Sequence, residues 1–210
     1  MKTTVYLLVA STLLFGSTSA LSQDEPPASS VVRTMNCRLN DGIAMSDLIE
    51  AARTLPRDAN SPDLTFVRDA IMASPEYRQN WDFQVATVYP SYQEMSSRRA
   101  ARRANPLTSD QVSPAAMSTC GDPWIVDRHN VRSSDNLTAT NAMATRLCER
   151  TGSTRAEVHS RIAEIAENYA SGGADLFVSI DTPGVGGSIN LTVSQFILRV
   201  VGPGITQMLD

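Results

Sequence analysis

Hydrophobic and polar residues alternate from Val31 to Leu39, and the alternation then gives way to a helical spacing. Met35, Cys37 and Leu39 fall on one face of this segment, which is typical of a half-buried strand. The residues at 40–42, Asn-Asp-Gly, favour a tight turn. Apolar positions then recur three or four residues apart, at Met45, Leu48, Ile49 and Ala52. The pattern predicts a strand, a turn and an amphipathic helix.

Three further strands and one more helix are predicted before residue 132. The strands cover 63–74, 81–89 and 122–131, and the helix covers the segment "SYQEMSSRRAARRA". The strand over 81–89 has the clearest alternation, whereas the apolar residues of 63–74 keep no clean period. The order β-α-β-β-α-β over residues 31–132 predicts a ferredoxin-like sheet with both helices on one face.

Residues 133–210 have a different pattern, from which we predict two helices followed by two strands. The four predicted elements cover 138–152, 153–173, 174–181 and 191–201. Thr154 and Glu157 form a capping box at the start of the second helix, and a glycine-rich segment joins the two strands. The predicted fold class is therefore α+β, a ferredoxin-like βαββαβ sheet followed by an α-hairpin and a β-hairpin. This extension is expected to pack on the first unit or to form a small subdomain.

The N-terminus has the features of a secretory signal peptide over residues 1–20. A lysine is followed by an apolar run and then by small residues up to Ala20, after which we expect cleavage. Residues 21–30 combine acids, prolines and serines and are interpreted as a flexible leader. No later segment has the roughly 20 apolar residues of a membrane-spanning helix, so we expect no transmembrane segment in the mature chain. The expected location is periplasmic or secreted.

The stretches "MNCRLNDG", "WDFQVATVYPSYQEM" and "DPWIVDRHNV" together resemble the dimeric α+β barrel superfamily in the order of their elements and in their pattern of apolar and aromatic residues. This resemblance covers about half of the chain. It implies paired sheets that form a barrel, either between two chains or between two halves of one chain. Members of the superfamily include cofactor-free monooxygenases, haem-dependent enzymes and stress-associated proteins, and no residue is carried over as catalytic. A homodimer or an envelope partner is the expected assembly.

The three cysteines allow one disulfide and one remaining thiol. In the predicted sheet the first strand is antiparallel to the fourth, which brings Cys37 close to Cys120. Outside the cytoplasm this pair can be oxidised to a disulfide. The alternative is that both remain buried or unpaired thiols. Cys148 lies on a predicted helix and is interpreted as a buried free thiol. No closely spaced cysteine or histidine pair is present, so neither a metal site nor a cofactor is predicted.

Three sets of side chains are candidates for binding or chemistry. His129 is a weak catalytic candidate, since it alternates with Asp127 on its strand and the two side chains share a face. A ligand pocket, or alternatively a core or dimer interface, is predicted at Trp81, Tyr89 and Trp124. An anion contact, or alternatively a solvated face, is predicted at Arg98, Arg99, Arg102 and Arg103.

The net charge of −4 has the wrong sign for general affinity to nucleic acid, which is therefore not an expected partner. N-glycosylation sequons begin at Asn136 and Asn190, and they have meaning only in a eukaryotic secretory pathway. Because no nucleophile–base pair, metal cluster or phosphate loop stands out, the leading hypothesis is a non-catalytic binding or assembly domain. The alternative is a cofactor-independent or haem-using barrel-type enzyme for a small apolar substrate. That alternative requires an enclosed cavity that is lined by Trp81, Tyr89 or Trp124 and that His129 faces.

Overall fold

The computed structural model describes residues 28–69, 74–106, 114–138, 140–184 and 191–203. The predicted signal peptide, most of the predicted leader, most of the glycine-rich segment and Asn190 lie outside these residues. Ser30, the last residue of the predicted leader, is the first residue of the first strand. Within the described residues, no helix combines the length and the apolar character needed to cross a membrane.

The described residues form eight strands, four α-helices and one short 3-10 helix, Pro114–Ala116. The strands are β1 (Ser30–Leu39), β2 (Leu64–Asp69), β3 (Phe83–Tyr89), β4 (Ser118–Cys120), β5 (Trp124–Arg132), β6 (Ala142–Glu149), β7 (Phe177–Pro183) and β8 (Gln195–Gly202). The helices are α1 (Met45–Thr54), α2 (Pro75–Asn80), α3 (Tyr92–Ala104) and α4 (Arg155–Ser171). The short helix α2, which begins with a serine cap and a proline, was not expected from the apolar pattern.

All eight strands belong to one curled antiparallel sheet in the order β2-β3-β1-β5-β7-β8-β6, and the short β4 also pairs with β1. The first four strands of this order are those of a ferredoxin-like sheet, which confirms the predicted α+β class. The later strands continue the same sheet, since β7 pairs with β5. The domain boundary placed at residue 132 stays a prediction.

The helix predicted over 138–152 is wrong, because this segment contains strand β6. Every residue of β6 is paired with β8, from Ala142 opposite Gly202 to Glu149 opposite Gln195. Pairing with a neighbouring strand overrides the helix propensity of a segment rich in alanine, methionine, leucine and arginine. The α-hairpin is therefore replaced by the order β6-α4-β7-β8.

This C-terminal unit repeats the topology of the N-terminal one, although the sequence shows no repeat. The unit β6-α4-β7-β8 has the sheet order β7-β8-β6, and the unit β1-α1-β2-β3 has the sheet order β2-β3-β1. In both units the first strand lies beside the third. The chain therefore carries one ferredoxin-like unit and the first four elements of a second.

Side chains of the sheet alternate between a face that the helices cover and an opposite face. The helix face carries most of the apolar core, including Leu48 of α1 against Phe83, Met95 of α3 against Tyr89, and Ala166 of α4 near Val178. The opposite face carries a smaller apolar cluster of Val32, Ala86, Val88 and Val126. Neighbouring residues on β5 and β7 consequently point in turn to the helix-covered face and to the opposite face of the sheet.

The predicted disulfide is confirmed. Cys37 on β1 lies directly opposite Cys120 on β4, and the two sulfur atoms are bonded. The bond links positions 83 residues apart in the sequence, and it lies against the core formed by Leu48 and Phe83. Cys148 is a half-buried free thiol on strand β6, not on a helix.

Candidate functional site

A pocket of about 340 Å³, including its open mouth, lies between the helix face of the sheet and the first turns of α4. Its lining residues come from β5, β7, β8, α4 and the segment between β6 and α4: His129, Arg150, Arg155, Val158, His159, Ile180, Thr182, Gln195 and Phe196. Both histidines of the chain are among them. The pocket therefore combines two imidazoles, two guanidinium groups and an apolar wall.

His129 is held at the floor of the pocket by strand pairing. It lies opposite Ile180 in the β5–β7 register, and its side chain is only 5% exposed. Its Nε2 atom is 3.2 Å from the hydroxyl oxygen of Thr182, which lies two residues further along β7 on the same face. This hydrogen bond fixes the orientation of the imidazole ring toward the helix side of the sheet.

Helix α4 supplies the opposite wall. Arg155, Val158 and His159 are spaced three and four residues apart, so they share one face of the helix. Thr154 caps this helix: its hydroxyl accepts a hydrogen bond from the N–H of Glu157, and the Glu157 carboxylate accepts one from the N–H of Thr154. The hydrogen bonds from Thr154 lower the pKa of Glu157. The cap fixes where α4 begins and hence where Arg155 and His159 lie.

Arg150 links the two chain segments at the rim of the pocket. Its guanidinium donates to the carbonyl oxygen of Val193 at 2.6 Å and to that of Ser153 at 3.3 Å. Its backbone N–H donates to the carbonyl oxygen of Ser194 at 2.9 Å. The connection between β6 and α4 is therefore fastened to the segment that precedes β8, which keeps the guanidinium at the pocket.

The electrostatic character of the pocket is positive. Arg150 and Arg155 contribute full charges, and the N-terminus of the 17-residue α4 adds the partial positive charge of its unpaired N–H groups. The carboxylate of Glu157, in the first turn of the helix, is engaged by Thr154. The pocket is thus suited to a molecule that has an anionic group and an apolar body.

The aromatic residues predicted to form a pocket are not brought together. Tyr89 is buried on the helix face with Val31 and Met95, whereas Trp124 lies on the opposite face against Val32. The register explains the separation, since Tyr89 pairs with Val31 and Trp124 pairs with Thr34, three residues further along β1. Trp81 follows α2, and its indole ring lies against Gly121.

The four arginines of α3 do not act as one exposed set. Arg98 is ion-paired with Asp63 at 2.7 Å and with Glu94 at 2.8 Å, and these hydrogen bonds raise its pKa. Arg102 is ion-paired with Asp58 at 2.8 Å. Both hold α3 to the loop that precedes β2. Arg99 is half-buried and Arg103 is exposed, so the predicted four-arginine anion contact remains a prediction with two of its members already engaged.

Sequence reasoning selected His129 but missed His159, Arg150 and Arg155. His159 lies on a helix rich in arginine and glutamate, which is typical of a solvated face. The available signal was positional: Arg155 and His159 are four residues apart, immediately after a helix cap. No metal-binding arrangement accompanies these residues, since the described part of the chain holds no group of three or more His, Cys, Asp or Glu that is suited to a metal ion.

Comparison with known proteins gives a likeness of fold. No protein-family model matches the chain, and no curated protein does. Among solved structures, a "Putative monooxygenase" from Fusobacterium nucleatum aligns with a TM-score of 0.51 and 11% identity over 87% of this chain and 79% of that one. A chlorite dismutase variant from Candidatus Nitrospira defluvii aligns with a TM-score of 0.47 and 6% identity, over 88% and 81% of the two chains. The first likeness supports the ferredoxin-like α+β barrel type of fold.

Proposed function

We propose that this chain is a barrel-type enzyme that acts on a small organic anion in the pocket beside His129. The observation that carries the proposal is the convergence of both histidines of the chain with two arginines and an apolar wall in one pocket. The pocket meets one part of what the enzymatic alternative requires, since His129 lines it, but it is open at its mouth and Trp81, Tyr89 and Trp124 are not among its lining residues.

The roles follow from the chemistry of each side chain. Arg150 and Arg155 bind the anionic group, because guanidinium groups match the geometry of carboxylate oxygens. An apolar wall of Val158, Ile180 and Phe196 binds the body of the molecule. Imidazole is the usual proton carrier at neutral pH, so His129, oriented by Thr182, exchanges a proton with the substrate.

The size of the pocket limits the ligand. The volume of about 340 Å³ includes open solvent at the mouth, so the enclosed space is much smaller and admits only a small group. The Nε2 atom of His129 is engaged by Thr182, and Arg150 is bonded to the backbone across the rim. These features fit a small acid better than a haem macrocycle with an imidazole ligand to its iron.

Proton transfer is tested by solvent exchange. Small 2-oxo acids with aryl or branched side chains are incubated with the protein in D₂O, and the loss of their C3 proton signals is followed by NMR. We expect exchange above the buffer rate for at least one acid, and a loss of about 100-fold in the His129→Asn variant. Equal rates for the two proteins would contradict the role of His129. Binding without any exchange across the panel would favour the non-catalytic domain.

Anion binding is tested separately. The Arg155→Gln variant should weaken the binding of these acids by about tenfold, while their neutral primary amides bind both proteins equally. Arg161→Gln is the matched control, because Arg161 lies on the same helix but pairs with Glu164 at the surface. If both variants bind the acids with the affinity of the wild type, Arg155 has no part in the site.

We also infer an extracytoplasmic location. The signal-like pattern of residues 1–20 and the Cys37–Cys120 disulfide support it, because such bonds persist in oxidising compartments. Mass spectrometry of the protein from its native host should find a mature N-terminus at Leu21 and a disulfide that resists alkylation. An intact N-terminus with both cysteines alkylated would contradict the inference.

We propose a homodimer as the assembly, in keeping with the barrel type of fold. Leu64 and Phe66 on the edge strand β2 and Leu147 on the edge strand β6 are exposed apolar side chains on the face that the helices leave uncovered. Exposed edges of this kind favour association. Light scattering of the full chain should give twice the chain mass, and a monomer at all concentrations would contradict the proposal.

A further inference from the structure

A buried ionic cluster lies on the face of the sheet opposite the pocket. Arg128 on β5 donates to both carboxylate oxygens of Asp181 on β7, from Nε at 2.8 Å and from Nη2 at 2.9 Å. Arg199 on β8 donates from Nε to the same carboxylate at 2.5 Å. The exposed fractions of the three residues are 6%, 0% and 4%. Arg128 directly precedes His129 on β5, so the two residues serve opposite faces.

The carboxylate is ionised in this setting. Burial opposes the ionisation of Asp181, but the hydrogen bonds and charges of Arg128 and Arg199 outweigh it and hold the pKa of Asp181 below its ordinary value. Arg199 also donates from Nη1 to the hydroxyl oxygen of Thr145 at 3.3 Å. Two guanidinium groups thus share a single carboxylate, which leaves one positive charge without a counterion.

Arg68 adds a second unmatched charge. It lies on the edge strand β2, and the register from β2 through β3 and β1 to β5 places it on the same face as Arg128. Burial, together with the charges of Arg199 and Arg128, lowers the pKa of Arg68 to about 9, so it is still a cation at pH 7. Its Nη1 atom is buried and has no hydrogen-bond partner in the protein. Three guanidinium groups therefore face one carboxylate.

Further donors on this face also lack partners. The hydroxyl of Ser179 is fully buried and has no partner, and Ser179 lies directly opposite Arg199 in the β7–β8 register. The buried hydroxyl of Thr34 and the buried indole N–H of Trp124 are also without partners, and these two residues are paired between β1 and β5. Buried polar groups are normally satisfied by hydrogen bonds. Unmatched positive charge on the same face as unsatisfied donors is the complement of a ligand rich in acceptor oxygens.

We propose that the face of the sheet opposite the helices carries an internal binding site for a small inorganic oxyanion of the phosphate or sulfate type, held by Arg68, Arg199 and Ser179. A tetrahedral oxyanion offers the acceptor oxygens that guanidinium groups bind in pairs. It also supplies the negative charge that Asp181 alone does not provide. The site is separate from the pocket of His129 and stands independently of the enzymatic proposal.

The experiment measures thermal unfolding and isothermal titration of the full mature chain at pH 7, with phosphate, sulfate, acetate or chloride at constant ionic strength. We expect phosphate and sulfate to raise the unfolding temperature by a few degrees in a saturable manner. The Arg68→Gln variant should lose this response, whereas the variant of the exposed Arg103, Arg103→Gln, and the pocket variant Arg155→Gln should keep it.

Each other outcome has a defined meaning. A saturable response retained in Arg68→Gln, or a response to chloride equal to that to phosphate, would overturn the proposal. A response to acetate alone would overturn the assignment to an inorganic oxyanion. A response lost in Arg155→Gln and kept in Arg68→Gln would assign the anion to the His129 pocket instead. If Arg68→Gln does not fold, Ser179→Ala takes its place, with an expected tenfold weaker affinity for phosphate, and an unchanged affinity would count against the site.

Discussion

Replacing Asp181 by asparagine removes the charge that holds Arg128 and Arg199 together and keeps the size of the side chain almost unchanged. Asp181 is fully buried and accepts hydrogen bonds from both guanidinium groups. The neutral amide cannot compensate their charges, so two desolvated cations would face each other across β7 without a counterion. We expect Asp181→Asn to be among the most destabilising conservative substitutions in this chain.

The size of the effect follows from the burial of the pair. Breaking a buried ion pair by removing one partner costs about 3–5 kcal/mol. For a chain of this length, 1 kcal/mol corresponds to a change of about 2–4 °C in unfolding temperature. The expected loss is therefore about 6–20 °C. The measurement is urea and thermal unfolding of the mature chain, followed by circular dichroism.

Asp63→Asn is the matched control, because Asp63 makes a comparably short ion pair with Arg98 but its side chain is 48% exposed. An exposed pair contributes about 0–1 kcal/mol, so this variant should unfold close to the wild type. The pKa of Asp181 is lowered in the folded protein, so its contribution is complete above the ordinary aspartate value and is lost as the pH falls below it. The difference between wild type and Asp181→Asn should be constant from pH 5 to 7 and shrink below about pH 4. Equal and small losses for Asp181→Asn and Asp63→Asn would refute the reasoning.

Three further outcomes are expected. Replacing Cys37 and Cys120 by serine should cost about 4 kcal/mol in urea unfolding, because the disulfide closes a long loop, whereas Cys148→Ser should change stability by less than about 1 kcal/mol. Thr154→Ala should lower the free energy of unfolding by about 1 kcal/mol and weaken the binding of organic acids, since it removes the cap that positions α4. Unchanged acid binding in this variant would show that the pocket does not depend on the cap. Arg68→Met should raise the unfolding temperature at pH 7 in the absence of oxyanion. Because the pKa of Arg68 is lowered to about 9, the difference in unfolding temperature between variant and wild type should shrink as the pH rises through that value. A variant less stable than the wild type at pH 7 would contradict the excess of positive charge.

The N-terminal unit could be predicted from the sequence because its signals are local. The alternation before Leu39 and the helical spacing after Met45 identify β1 and α1, and the element order implies the antiparallel neighbours of a ferredoxin-like sheet. That topology was sufficient to pair Cys37 with Cys120, two residues that no motif connects.

The rest could not be predicted because it depends on pairing between distant segments. Residues 142–149 have the composition of a helix and become a strand only through β8. His129 and His159 are 30 residues apart and meet because α4 packs on β5 and β7. The separation of Tyr89 from Trp124 is a matter of register, since one residue of offset moves a side chain to the other face.

Both histidines and the arginines beside them are proposed to form one site for an organic anion. Because the chain has only two histidines, a tag-free sample labelled with ¹⁵N-histidine gives two imidazole signals, which can be followed while an aryl carboxylate is added. We expect the signals of His129 and His159 to shift along one common saturation curve, and the neutral amide of the same acid to shift neither signal. Independent curves for the two histidines, or no shift with any carboxylate, would contradict it.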